Sequence, residues 1–450
     1  MAAKRSSGAT KPGGGHSRRQ FLKRGALAAA GAVGFPYIVP ASALGLDGTI
    51  APSNRITIAS IGVGGQGTGN LRAFLGQPDT QVLAVCDVDC NHRDRAKQIV
   101  EETYGAKMTS GEYKGCDFYT DFREVLARPD VDAVCITTPD FWHAVIAVAA
   151  AEAGKDMYCE KPLANSIGEG RAVVNAVNRY GRVFQTGSHE RSRSNARYAC
   201  ELVRNGRIGK LHTIHVNLPL DHYDLNLNVG PMPVPEGFDY DMWLGPRPWA
   251  PYTELRCHFF FRFILDYSGG EVTDRGAHII DLGQLGNATD RTGPQTVSGW
   301  GEFPREGLFN TAKKFEFQFT YANGVKMICK SEGTRGVKFE GTDGWVFIHI
   351  HGGNLEAEPA SLLKEIIGPN EEHLGRSPGH HRDFLNNVKL RGECFAPPEV
   401  GHRSASMCHL ANIAMKLGRE LKWDPDKELF TNDSEANSLL MPSLRAPWHV

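Results

Sequence analysis

The chain has no second long apolar run beyond its head, no C-x-x-C pair and no excess of basic charge in its body. Each absence removes a class of function. The one weakly apolar stretch, residues 25–39, is too short for a comfortable membrane span and is interrupted at Pro36. No other segment reads as membrane-spanning. Without C-x-x-C, zinc ribbons and thioredoxin-like chemistry have no support. The ten cysteines read mostly as buried thiols, and Cys86, Cys135 and Cys159 fall in apolar strand-like runs where cysteine acts as a small hydrophobe. Residues 1–43 carry seven basic side chains and no acid, which leaves 43 basic against 51 acidic residues in the rest. A body of that sign argues against nucleic-acid or anionic-membrane binding. There is no internal repeat and, after residue 43, no low-complexity stretch. What remains is an ordinary soluble composition, 41% hydrophobic and 22% charged, in a length that suits two domains or one large one.

The basic head reads as a targeting segment. Ser17-Arg-Arg-Gln-Phe-Leu-Lys23 has a twin-arginine pattern, residues 25–39 follow as the apolar region, and Ala41-Ser-Ala43 offers small residues for cleavage before Leu44. The expectation is export by the twin-arginine machinery to the periplasm or beyond. A disordered basic tail is the alternative.

What the chain does contain begins at Ile56. The run to Ile61 reads as a buried parallel strand, and Gly62, Gly64 and Gly67 fill a G-x-G-x-x-G frame together with Gly65 and Gln66. Gly62 suits the tight turn, Gly64 the close approach of a pyrophosphate, and Gly67 the packing of helix on strand. The helix that follows offers unpaired N–H groups and its positive dipole end to phosphate. A second apolar run, residues 81–86, ends in Asp87, twenty residues after Gly67, where a carboxylate accepts hydrogen bonds from an adenosine ribose. Asp87 also repels a 2′-phosphate, so NAD is favoured over NADP.

Strands and helices then alternate in the doubly wound manner: helix near 67–75, helix near 92–104, helix near 121–127, strand 132–137, helix 141–153, strand 156–159. Thr138-Pro139 ends the strand at 137, at the sheet edge where a cofactor lies. His143 in the next helix either faces the nicotinamide or caps the helix. A second region opens near Gly181. It holds a helix near 194–205, a strand at 211–218, and a long Pro/Gly/Trp-rich excursion at 219–256 that reads as a lid or binding wall. Period-two segments at 314–321, 325–329 and 345–350 read as an antiparallel sheet with one solvated face, and helices near 379–390 and 403–419 close the region. The expected architecture is α/β: a Rossmann doubly wound parallel sheet over 54–180, an α+β domain with a large, mainly antiparallel open sheet over 181–425, and a tail at 426–450. The exposed sheet face fits a dimer or tetramer.

Two further constellations carry chemistry. In Cys159-Glu-Lys-Pro-Leu163, Pro162 holds Lys161 extended at a strand end, where its ammonium can polarise a substrate oxygen; alternatively Lys161 is a surface residue paired with Glu160. In Gly269 to Asp281, the residues Asp274, His278 and Asp281 share one helix face. His278 suits removal of a hydroxyl proton, with Asp274 one turn away to orient it and raise its basicity. Helix capping by Asp274, or a metal held by Asp274, His278 and Asp281, are the other readings.

The combination of G-x-G-x-x-G, Glu160-Lys-Pro162 and Asp274-x-x-x-His278 resembles the glucose-fructose oxidoreductase, inositol dehydrogenase and rhizopine-catabolism family (Gfo/Idh/MocA) over residues 54–425. The segments 185–191, 241–246 and 341–345 also look like those of exported members. The resemblance implies that Lys161, Asp274 and His278 form the catalytic set, that NAD is the cofactor, and that substrates are sugar-like or polyols. Arg275 departs from the family, whose exported members carry an aromatic residue after the aspartate, and that bears on substrate preference. Arg191, Arg256, His258 and Tyr267, with Arg262 and the aromatics Trp243, Trp249 and Tyr252, are the candidate substrate contacts. An NAD enzyme exported in folded form would carry its cofactor with it, tightly held, and recycle it within the catalytic cycle. That allows a sugar oxidoreductase, a redox glycosidase or lyase, or, on the metal reading, an isomerase or epimerase.

Overall fold

A six-stranded parallel sheet and a nine-stranded mixed sheet account for the architecture. The structure, a computed structural model, describes residues 50–221, 229–351 and 353–450. Residues 1–43, where a targeting segment is expected, lie outside the described residues, as do positions 222–228 of the long excursion.

The first sheet runs in the order β3-β2-β1-β4-β5-β6. Its strands are β1 (Ile56–Ile61), β2 (Thr80–Cys86), β3 (Asp117–Tyr119), β4 (Ala133–Ile136), β5 (Asp156–Cys159) and β6 (Phe184–Thr186). Every pairing is parallel. Strands β4 and β5 are buried at every position, which explains their unbroken apolar runs: helices cover both faces, so no alternation is needed. The sheet extends past residue 180, because β6 pairs with β5 and belongs to this sheet rather than to the second region.

No helix is expected between Cys159 and Gly181 from the sequence, yet Ile167–Tyr180 is one. Its signals are local. Ser166 accepts a hydrogen bond from the Glu169 N–H at 3.2 Å, and Gly181 ends the helix at φ 60°.

The second sheet runs β13-β12-β11-β7-β10-β9-β8-β14-β15. Its members are β7 (Leu211–Asn217), β8 (Thr296–Gly301), β9 (Phe315–Thr320), β10 (Lys326–Lys330), β11 (Gly336–Gly341), β12 (Trp345–His349), β13 (Leu355–Glu358), β14 (Leu421–Asp424) and β15 (Leu429–Phe430). Only β7 and β10 pair in parallel. On β9, Phe315, Phe317 and Phe319 point into the core while Glu316, Gln318 and Thr320 alternate outward. The inward face packs on the helices Ser194–Arg204, Gly276–Gly286 and Pro398–Leu417 in one apolar core.

Residues 426–450 are folded rather than trailing. Trp448 packs edge-on against Trp142 at 4.7 Å, and Arg445 donates to Asp241 at 2.6 Å. All ten cysteines are free thiols, nine of them buried. No described helix is long and apolar enough to cross a membrane.

Candidate active site

The strand ends of the parallel sheet open into a cavity of about 500 Å³, bordered on its far side by the helical segment around Asp274 and His278. At one end lies the glycine turn. Gly62 has φ 79°, and a Cβ there would sit 2.6 Å from the Thr137 carbonyl oxygen; a Cβ on Gly67 would sit 2.1 Å from that of Gly62. Those two glycines let the turn close on itself. Gly65 has open space around its Cβ position, and the nearest atom to that of Gly64 is 3.6 Å away, on the His92 ring. The helix Gly65–Leu75 begins without a side-chain cap, so its first N–H groups face the cavity. The turn thus has the room and the donors a dinucleotide pyrophosphate needs.

Asp87, at the end of β2, accepts the Val63 N–H at 2.8 Å and the Asp89 N–H at 3.0 Å, which fixes its carboxylate at the cavity edge. Burial raises its carboxyl above the ordinary value against the pull of those two N–H groups. Thr138 and Pro139 border the same cavity. His143 resolves toward structure: its ring nitrogens meet the Pro162 carbonyl at 2.7 Å and the Thr138 carbonyl at 2.9 Å, tying the end of β4 to the Lys161-Pro162 turn. Glu160 accepts from Gln66 at 3.1 Å and from Asn70 at 3.0 Å, so it anchors the helix of the glycine turn.

Glu160 also accepts the Lys161 backbone N–H at 3.2 Å, but it is not the partner of the Lys161 ammonium. The lysine ammonium donates to the Asp274 carboxylate at 2.7 Å and to its carbonyl at 3.0 Å, joining the two sheets' domains across the cavity. Arg262 and Arg275 also donate to Asp274, at 3.2 and 3.3 Å. Burial alone would raise the Asp274 carboxyl, but the Lys161 ammonium and the Arg262 guanidinium hold it far below the usual range.

The role expected of Asp274 changes accordingly. It faces Lys161 and the arginines, and no hydrogen bond links it to His278. The helix is broken at Arg275 into Glu271–Asp274 and Gly276–Gly286, which turns the two side chains to different partners. The His278 Nδ1 is buried with no hydrogen-bond partner. Burial, then Lys161, then His189 push its imidazole well below the usual value, so it is neutral at neutral pH and free to accept a proton.

The metal reading of Asp274, His278 and Asp281 does not hold, for the same reason. Asp281 is fully buried under a bidentate Arg191 (2.6 and 2.9 Å) and a bond from Ser404.

Three expected substrate contacts are also corrected. Arg191 is spent on Asp281 and, at 2.9 Å, on Asp290, away from the cavity. Arg256 donates to Pro251 and to the Tyr267 hydroxyl at 3.2 Å, and Tyr267 packs on Phe141; neither borders the cavity. His258 does border it, but at the Asp87 end, with its ring 5.0 Å from that of His92. Of the aromatics, Trp243 lines the cavity, Tyr252 is packed away and Trp249 is 67% exposed.

Of the other residues named from the sequence, Arg262 and Arg275 do border the cavity, beside Asp274, and they are joined there by two not singled out, His189 and His351 beside His278. The histidines come from separate segments, and only the fold brings them together.

The described part of the long excursion meets the nucleotide end. The Cys90 N–H donates to the Gly237 carbonyl at 3.0 Å and the Asp239 N–H to that of Val88 at 2.9 Å, so residues 237–239 clasp the chain just after Asp87.

Comparison with known proteins agrees with this geometry. Residues 56–188 match the family model described as an oxidoreductase family NAD-binding Rossmann fold, and residues 222–450 match the model of the oxidoreductase family C-terminal alpha/beta domain. The chain belongs to the Gfo/Idh/MocA oxidoreductase family, and its first domain matches that family's NAD-binding Rossmann fold. It is 28% identical over 205 residues to a glycosyl hydrolase family 109 protein of Shewanella pealeana, covering 43% of this chain and 44% of that protein. The chain thus spans less than half of that relative's length. An aldose-aldose oxidoreductase from Caulobacter crescentus shares the fold at a TM-score of 0.61 and 19% identity, over 82% of this chain and 99% of that one. A levoglucosan dehydrogenase solved with NADH and levoglucosan superposes at a TM-score of 0.57 and 16% identity, over 82% and 99%.

Proposed function

We propose that the protein is an exported enzyme that oxidises a hydroxyl-bearing carbon of a sugar, sugar derivative or polyol, with an NAD that it keeps through the cycle. The observation that carries the reading is the pairing of Lys161 with Asp274 at 2.7 Å on the same cavity wall as a neutral, unpartnered His278. The Lys161 ammonium, fixed by Asp274, donates a hydrogen bond to the substrate oxygen and stabilises negative charge as it develops there. His278 takes the hydroxyl proton. The bound nicotinamide supplies the hydride acceptor. Arg262 and Arg275 add cationic donors beside the substrate oxygen, which suits a substrate with several hydroxyls or a carboxylate.

Asp87 at the cavity edge supports NAD rather than NADP, because a carboxylate at the end of β2 would repel a 2′-phosphate. The clasp of residues 237–239 over the chain after Asp87 supports retention. The twin-arginine pattern at Arg18-Arg19 supports export.

A second reading, transient oxidation followed by loss of an aglycone and return of the hydride, draws support from the name of the family 109 glycosyl hydrolase relative.

One experiment tests both. Purified protein is denatured and the released dinucleotide identified and quantified. Intact protein is then assayed on sugars and glycosides without added nicotinamide. Stoichiometric NAD and turnover without supplement are the expected results, and released aglycone selects the glycosidase version. Release of NADP overturns the assignment to Asp87, and an empty protein active only with added NAD overturns retention.

A further inference from the structure

We infer that His189, Glu190 and His351 form a binding site for a divalent first-row metal ion, of the zinc class, at the substrate end of the cavity. The His189 Nε2 lies 3.2 Å and the His351 Nδ1 3.4 Å from the Glu190 Oε1, and the three ligand atoms all fall within 4.8 Å of one another. A tetrahedral ion with bonds of about 2.0–2.1 Å places its donors roughly 3.3–3.4 Å apart, which is the spacing seen between each imidazole and the carboxylate.

Two buried side-chain atoms in and beside this cluster have no partner among the described residues. Glu190 is 1% exposed, and its Oε2 has no hydrogen-bond partner. The His278 Nδ1, also buried and without a partner, belongs to a ring packed edge-on against His189 at 4.6 Å and against His351 at 5.8 Å. Buried polar atoms left open in this way are rare in a folded protein. Here two imidazoles and a carboxylate converge on one spot.

The elements that bring them together are distinct. His189 and Glu190 lie on the single turn that follows β6, and His351 follows β12 with φ 65°. Arg193 donates to the Glu190 Oε1 at 2.9 Å from a side chain that is 40% exposed, so solvent can take over that donor when an ion claims the carboxylate.

Imidazole and carboxylate together suit zinc, cobalt or nickel rather than magnesium or calcium, which prefer oxygen alone. His189 and His351 both border the cavity beside Lys161 and His278. Coordination positions left open would face the substrate, where the ion holds a second oxygen of a polyhydroxy compound. That substrate role rests on the function proposed above; the ion site does not.

The test uses untagged, full-length protein stripped with a chelator and titrated with zinc ion against a chromophoric competitor. One ion per chain is expected, with affinity reduced at least tenfold in His189→Ala and in His351→Ala. Both rings are partly solvent-exposed, so the variants should keep the fold, which far-ultraviolet circular dichroism checks. His92→Ala, in the separate Asp89–His92–His258 group, should leave the affinity unchanged. Absence of stoichiometric zinc, or binding that survives His351→Ala, overturns the proposal, as does binding lost only in His92→Ala. Stoichiometric zinc in a protein that carries no dinucleotide would keep this site and remove the captive-cofactor reading. Turnover on retained NAD, without supplement, in a protein that binds no zinc would do the reverse.

Discussion

Lys161 and Asp274, 113 residues apart, meet at 2.7 Å, and that bond joins the strand end of the parallel sheet to the helical wall of the second domain. It fixes an ammonium on the wall of the cavity that the neutral His278 also borders. Replacing Lys161 with Ala, or His278 with Ala, should each lower turnover by roughly a hundredfold or more, the scale of general acid–base catalysis. The double variant should lose less than the product of the two, since both groups serve one proton transfer. Steady-state kinetics on the best substrate decides it. Near-normal turnover in the His278 variant would move the proton chemistry elsewhere.

Glu271 sets a pH dependence of stability next to this site. Burial, with Asp274 nearby, pushes its carboxyl from 4.5 up to about 8, outweighing Arg335 and Arg275 at 3.7 and 3.9 Å. The folded state then holds a proton that the unfolded chain releases near 4.5. This contribution to stability is full below that pH and is lost progressively as pH rises toward about 8. Glu271→Gln stays neutral throughout, so it should match the parent at acid pH and exceed it above pH ~8 by roughly 1–4 kcal/mol. Urea unfolding at the two pH values measures the difference. Parallel stabilities at both would show that the carboxyl is ionised in the fold.

Arg191 is a structural residue on this geometry. Its side chain is 5% exposed and is held by Asp281 and Asp290, neither of which has another arginine or lysine within ion-pair distance among the described residues. Arg191→Ala strands a buried carboxylate and should cost about 3–5 kcal/mol of stability, with little change in KM for whatever folds. A variant of parental stability whose KM alone rises would restore Arg191 to the substrate site.

The part of this molecule that local pattern encodes was legible in its sequence: the buried strands β1, β2, β4 and β5, the glycine turn, and the alternating Phe315, Phe317 and Phe319 of β9. The helix Ile167–Tyr180 was not read, because its capping signals at Ser166 and Glu169 are short and its apolar face is interrupted by Gly170. The three-residue strand β3 has no periodicity to read.

The site divides in the same way. Lys161 and His278 sit in dense motifs. What Asp274 binds depends on Arg262 and Lys161 arriving from other segments, and a break at Arg275 alters the helix geometry on which the Asp274–His278 pairing was reasoned. Arg191 looked like a ligand contact because its partner Asp281 is 90 residues away. The cluster at His189 and His351 is built from single histidines, and a lone histidine carries no signal until the sheets bring two together.

The clasp at the nucleotide end makes the retention of cofactor testable by mutation. Phe238 faces Asp89 in an isolated bridge and packs against His258, whose ring in turn meets His92 beside Asp87. On the retention proposed above, this chain of contacts beside Asp87 would have to open before a dinucleotide could leave. The backbone bonds at Val88 and Cys90 survive truncation of a side chain, so Phe238→Ala should loosen the clasp without removing it. The variant should release NAD at least roughly tenfold faster, a change of about 1.4 kcal/mol, and emerge from gel filtration partly empty where the parent stays loaded. Gly237→Ala should act more strongly, because φ is 78° there and a Cβ would lie 2.2 Å from the Cys90 Sγ. Turnover without added nicotinamide should fall in proportion to the cofactor lost and return when NAD is supplied. Retention unchanged in both variants would mean that the glycine turn and Asp87 hold the dinucleotide by themselves, and that the 237–239 segment has no part in keeping it.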